Sequence, residues 1–211
     1  MKYIKLFEAH NNEEANKIFD WKNNDFIYRA ETEGKLLEDC YGESFMSKNK
    51  GIKAFDVAKK HDTDYKIIAE YKDEKTDKYC SCWTLDKDYR MAAFNESKIR
   101  IALDVKKILD SKLEDRIFYG GGKPSEMEIR IEGSLEDWPK YLAFIETSKE
   151  FYNDGEEFED VFFPPLKKWL PEELNKFVKF IPEKLFWDSS ANGKNLCQKY
   201  NISSYVDLGL R

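Results

Sequence analysis

Apolar and polar positions alternate most cleanly from Lys98 to Val105, where Ile99, Ile101, Leu103 and Val105 fall in one set and Lys98, Arg100, Ala102 and Asp104 in the other. A period of two sends the sets to opposite faces, so this segment is predicted as a β-strand. The same period predicts strands over 25–30, where Phe26 and Tyr28 alternate with Ile27 and Arg29, and over 78–85, where Tyr79, Ser81, Trp83 and Leu85 share a face. It also predicts one over 126–132, with Met127, Ile129 and Ile131 on its apolar side and Glu126, Glu128, Arg130 and Glu132 on the other. Residues 1–8 and 65–71 read as further strands, and Asp73 to Asp77 has hairpin-loop composition.

Helical signals lie between these strands. Asn11 followed three residues later by Glu14 has the pattern of a helix start, which predicts a short helix to about Trp21. Short helices are also expected over 52–60, over 89–95 and after the strand at 99–105, whereas Gly34, Gly42 and Gly51 predict irregular chain over 31–49. Past residue 134 the pattern turns helical. Residues 135–151 read as helix with breaks and 154–160 as an acidic loop, and Pro171 opens a helix with Leu174, Phe177, Val178 and Ile181 on one face before Pro182. The expected architecture is α+β: mixed, mainly antiparallel sheets around a cleft with flanking helices. One domain is expected, with a core over about 1–145 and a more helical C-terminal third, 146–211, packed on it.

Composition narrows the function classes. Of 211 residues, 41% are hydrophobic and 15% aromatic, enough large apolar surface for a packed core, so a disordered chain is excluded. The formal net charge of −6 repels phosphate backbones at long range and argues against general nucleic-acid binding. The densest basic stretch, Lys48 to Lys60, reads as a solvated face. The four cysteines, Cys40, Cys80, Cys82 and Cys197, are too few for a disulfide scaffold, and the start of the chain lacks an apolar signal core; a reduced, cytoplasmic protein is expected. No run approaches the ~20 apolar residues of a membrane span, so no membrane role is expected.

Several chemical motifs fail on inspection. The run Gly120-Gly121-Gly122-Lys123-Pro124 has no upstream glycine at phosphate-loop spacing and carries Pro where that loop needs Ser or Thr. Cys80 and Cys82 form half of a metal site with no second ligand pair, and His10 and His61 stand alone, so no metal is expected. Trp138, Trp169 and Trp187 sit among Phe and Leu and are assigned to the core. What remains is the pair Glu126 and Glu128, which a strand would present on one face behind a flexible loop. Such carboxylates stabilise a developing oxocarbenium ion more than its neutral precursor.

The order of these segments resembles the Arg-Ser-Glu class of mono-ADP-ribosyltransferases: a Tyr28-Arg29 strand, a Tyr79-Cys80-Ser81-Cys82-Trp83-Thr84 strand running into Ala92-Ala93-Phe94, and a Glu126-x-Glu128 strand behind a glycine loop. The resemblance covers about residues 25–145; Cys82 and Trp83 stand where the family prefers small hydroxyl residues. It implies an NAD-dependent transferase acting on a macromolecule, a protein first and a nucleic acid second. Arg29 would bind the NAD phosphate or ribose, Ser81 would brace the nicotinamide pocket, and Tyr89 or Phe94 would stack on nicotinamide. Glu128 would stabilise the oxocarbenium, Glu126 would position the acceptor nucleophile, and the loop with Tyr119 and Gly121 would meet the target. The stretches Cys80-Ser81-Cys82, Arg90 to Phe94, Ile101 to Val105 and Glu126 to Arg130 are also similar to bacterial families of unknown function associated with abortive infection and phage defence, which implies a toxin or phage-conflict setting. The competing expectation is a non-catalytic acidic binding protein, an inhibitor or antitoxin that uses the stretch 154–160 to cover a basic partner.

Overall fold

The computed structural model describes residues 13–86, 98–119, 124–158, 161–182, 192–208 and 210. Helix α1 (13–19) leads through a single 3-10 turn, Trp21–Asn23, into strand β1, Phe26–Glu31. Helices α2 (Glu33–Lys48) and α3 (Ile52–Ala58) follow, then the short strands β2 (Lys66–Ile67) and β3 (Tyr71–Lys72) and the longer β4 (Tyr79–Thr84). Strand β5 (Ile99–Asp104) runs into helix α4 (Val105–Leu109), and β6 (Ile117–Phe118), β7 (Glu128–Glu132) and β8 (Leu135–Glu136) come next. The remainder is β9 (Leu142–Thr147), α5 (Lys149–Asp154), β10 (Glu156–Phe158), β11 (Val161–Phe163), α6 (Leu166–Trp169), β12 (Val178–Phe180) and α7 (Asn192–Tyr200).

The main sheet has eight strands in the order β12-β9-β5-β1-β4-β7-β6, with β3 added to β4. Every pairing in it is antiparallel except β12 on β9, so the fold is α+β with a mixed, mainly antiparallel sheet. The alternation read at Ile99, Ile101 and Leu103 becomes three core residues with no exposure. Ala102 on the opposite side is equally buried, because β5 lies in the sheet interior between β1 and β9.

Three expectations are corrected. Residues 33–48 form a helix where irregular chain was expected. Thr32 caps it by accepting from the Lys35 amide at 3.3 Å, and Leu36, Leu37, Cys40, Tyr41 and Phe45 recur at helical spacing toward the core. The Gly42 signal was real but local: its φ of 77° kinks the helix without ending it. Residues 142–147, expected as helix, are strand β9, since Leu142, Phe144, Ile145 and Thr147 are buried on both faces of a central strand and so lose the clean alternation. The segment after Pro171 is a 3-10 turn over Glu172–Phe177 that gives way to edge strand β12.

The expected strand over 65–71 divides into β2, paired with β8, and β3, paired with β4. The strand expected over 1–8 and the helix over 89–95 lie outside the described residues. Trp138 and Trp169 are core residues with no exposure, as assigned, while Trp187 is outside the described residues. The Trp138 indole donates to the Asp39 carbonyl at 2.9 Å and the Tyr41 hydroxyl donates to the Trp169 carbonyl at 2.8 Å. Helix α2 is thus tied to both the middle and the last third of the chain, and one cluster of buried residues runs from Ala15 to Leu208.

Candidate functional site

A fork in the sheet creates the candidate site. One edge of β4 is paired along Cys80 to Thr84 by β7. Its other edge is shared: β1 meets it only at Thr84, and β3 meets it only at Tyr79 and Cys80. Between those contacts β1 and β3 splay away, leaving a cleft of about 370 Å³ beside Ser81 and Cys82. Its walls include Arg29, Glu31 and Lys35 from the β1–α2 side, and Glu70 and Tyr71 from the β3 side. Its volume falls within the ~300–1,000 Å³ of ordinary small-molecule sites.

Sheet register decides which predicted residues meet. Tyr28 opposes Thr84, so Arg29 and Ser81 share the face of Trp83, and the Arg29 guanidinium lies 5.9 Å from the Trp83 ring centre. Glu128 opposes Thr84 and Arg130 opposes Cys82, which puts both on the other face of the sheet. Arg29 and Ser81 therefore line one cleft, whereas Glu128 is not among its walls. The link between the two faces is Cys82, which lines the cleft and whose thiol donates to the Glu128 carboxylate. Burial and that carboxylate together push the Cys82 thiol well up, so it stands there as a neutral donor and not as a thiolate nucleophile.

Glu126 departs from the expected strand. It ends the 3-10 turn Pro124–Glu126, and Met127, at φ 49°, separates it from the start of β7. Burying the Met127 side chain and bonding its carbonyl to the Leu85 amide at 3.0 Å breaks the alternation, so Glu126 and Glu128 do not form the two-carboxylate strand face. Tyr119 is buried and its hydroxyl accepts from the Trp21 amide at 2.8 Å, which fixes it as a packing element at the sheet edge beyond β6. Tyr89, Phe94 and Gly121 lie outside the described residues.

The electrostatics of the cleft are dominated by a buried cluster. Arg29 pairs through Nε with Glu31, and its Nη1 atom has no hydrogen-bond partner among the described residues. Burial works against the charged guanidinium, but the neighbouring carboxylates, Glu31 foremost and Glu70 after it, outweigh it and hold the arginine firmly protonated. Burial, reinforced by the charge of Glu31, holds the Asp39 carboxyl well above the usual carboxylate range. Burial also raises Glu31, against the opposing pull of Arg29 and Lys35. Lys35 bridges to Glu38 at 2.9 Å and to Glu70, whose side chain is 62% exposed.

Ser81 is occupied locally, accepting a hydrogen bond from the Trp83 indole at 2.9 Å, and so braces the cleft wall. A second buried network stiffens the other side. Arg130 pairs with the fully buried Asp73, donates to Glu128 at 2.9 Å and lies 4.4 Å from the Tyr71 ring centre. The Asp73 Oδ1 atom accepts from the amides of Lys75 and Thr76 and from the Thr76 hydroxyl, closing the β3–β4 hairpin. Lys35, Asp39, Glu70, Asp73 and Arg130 were not singled out as site residues in the sequence, because they are spread over α2, the chain around β3 and β7, and nothing in linear spacing joins those elements.

No group of three or more potential metal ligands occurs among the described residues, and no described helix is long and apolar enough to cross a membrane. The acidic stretch, expected as a loop, opens at Asp154, the last residue of α5, and continues into strand β10, where Glu156 pairs with the buried Lys98 at 3.0 Å. Comparison with protein-family models, with curated proteins and with solved structures gives no match.

Proposed function

We propose that the fork between β1, β3 and β4 binds NAD, and that the protein is a mono-ADP-ribosyltransferase-like enzyme modifying a macromolecule in a bacterial or phage conflict setting. The observation that carries this reading is Arg29: a buried, permanently charged guanidinium that lines the cleft with Ser81 and has an unpartnered Nη1 among the described residues. A phosphate oxygen satisfies such a donor, and the planar guanidinium suits phosphate better than a lysine would. Lys35 supplies a second cation and Tyr71 an aromatic wall.

The charged walls balance, two cations against Glu31 and Glu70, so a diphosphate gains most by displacing Glu70 from Lys35. The 62% exposure of the Glu70 side chain leaves it free to turn into water. Loss of nicotinamide then develops positive charge on the ribose. Glu128, on the other face of the sheet and paired with Arg130, does not reach that ribose and is assigned only the positioning of Cys82 in the cleft wall.

Calorimetric titration with NAD tests the reading. Wild-type protein is expected to bind; Arg29→Lys, which keeps the charge beside Glu31 but removes the planar fork, should weaken binding by roughly tenfold. Glu70→Gln should tighten it, because Lys35 is then released to the ligand. Glu128→Gln should keep NAD affinity, since Glu128 lies outside the cleft walls. Absence of wild-type binding, or an affinity indifferent to both Arg29→Lys and Glu70→Gln, rules the site out.

A further inference from the structure

A second and larger concavity lies across the β4–β7 strand pair from the fork, and no residue lines both. It measures about 670 Å³ and is bounded by edge strand β6, the β3–β4 hairpin and the chain that follows α7. Its body is apolar and aromatic, built by Phe118, Tyr119, Ile202, Tyr205 and Leu210, with the exposed Val206 at the rim. The aromatic wall is rigid: the Tyr119 and Tyr205 rings pack 4.7 Å apart, and the Tyr205 hydroxyl donates to the Glu128 carbonyl at 2.6 Å.

Cations gather on the hairpin side of this groove, in a protein whose net charge is −6. Lys78 is neutralised by Glu132 at 2.5 Å. Arg116 spends its donors on two uncharged acceptors, the carbonyls of Glu132 at 2.7 Å and Ser134 at 2.6 Å, which lock the guanidinium in place without cancelling its charge. Neither Arg116 nor Lys75 has a carboxylate within ion-pairing distance among the described residues, and Asp115 is the one remaining unpaired acid in the groove wall. A fixed cation, an exposed cation and a rigid apolar wall converge on one space.

We infer that this groove is a binding site for a small organic anion with an aromatic or apolar body, of about the size of a nucleoside monophosphate. An inorganic anion would leave the apolar wall wet, and a neutral aromatic would forgo the uncompensated charges of Arg116 and Lys75. Affinity here requires both parts in one molecule. The inference is independent of NAD binding at the fork, which uses other residues.

The experiment compares phenyl phosphate with inorganic phosphate and with benzyl alcohol on the full chain, by calorimetry and by ligand-observed saturation-transfer NMR. Phenyl phosphate should bind at least ~10-fold more tightly than either fragment. Lys75→Glu and Val206→Glu reverse or add charge at exposed rim positions, Val206 being 77% exposed, and should each weaken phenyl phosphate by ~5-fold or more without moving the thermal midpoint. Phenyl phosphate binding no tighter than its fragments, or an affinity unmoved by both substitutions, overturns the proposal.

Discussion

Asp73→Ala should be among the most damaging single substitutions outside the apolar core, and its cost can be built from its partners. Asp73 is fully buried and pairs with Arg130, whose side chain is 4% exposed. Removing one member of a buried pair costs about 3–5 kcal/mol when the other is left uncompensated, and the Glu128 carboxylate that remains on Arg130 places Asp73→Ala toward the low end of that range. The three hydrogen bonds that Oδ1 accepts come from Lys75 and Thr76, which are exposed, so water recovers most of that loss. The pair term therefore dominates.

Asp73→Asn should be milder, about 1–3 kcal/mol, because its amide oxygen still closes the hairpin and Arg130 retains Glu128. Urea unfolding followed by tryptophan fluorescence measures the difference through the midpoint at unchanged slope. For a chain of this length, 3–5 kcal/mol corresponds to a fall of roughly 6–20 °C in melting temperature. If alanine and asparagine cost the same, and less than about 1 kcal/mol, the pair is no more than a surface interaction and the reasoning fails.

Gly155→Ala should destabilise by at least about 1–3 kcal/mol in the same assay, since Gly155 has φ 81° and an added Cβ would come within 2.2 Å of the Phe163 carbonyl oxygen. Ser81→Ala leaves the buried Trp83 indole N–H without its acceptor and should cost about 1–3 kcal/mol, visible also as a shift in tryptophan emission. Asp39 binds its proton more tightly folded than unfolded, so the stability it contributes is full at low pH and is lost as pH rises from the ordinary 3.8 through the raised folded value. Asp39→Asn removes that loss. Its melting temperature should climb relative to wild type as pH rises above the ordinary carboxylate value, and a difference that stays constant with pH would refute the assignment.

Much of the sheet was legible in the chain because β4 and β5 set their large apolar side chains on one face and small or charged ones on the other, which keeps a period of two visible. Legibility failed where burial became two-sided, as in β9, where Leu142, Phe144, Ile145 and Thr147 blur the period. It failed again in α2, where Gly34 and Gly42 looked like breaks although core contacts and the Thr32 cap carry the helix through. At the site, Arg29 and Ser81 could be named from segment order. That they share a cleft, with Glu128 on the far face behind Cys82, follows from register alone, which one residue of slip would invert.

Local pattern by itself determined the α+β class, the strands at Ile27, Trp83, Ile101 and Ile129, and the core role of Trp138 and Trp169, because side-chain direction repeats along an element. Only the tertiary structure decided the fork beside β4, the Arg29–Glu31–Asp39 cluster and the Asp73–Arg130 brace. Those join residues from separate elements at ångström range, and charge interactions in a low-dielectric interior depend on that separation and not on distance along the chain.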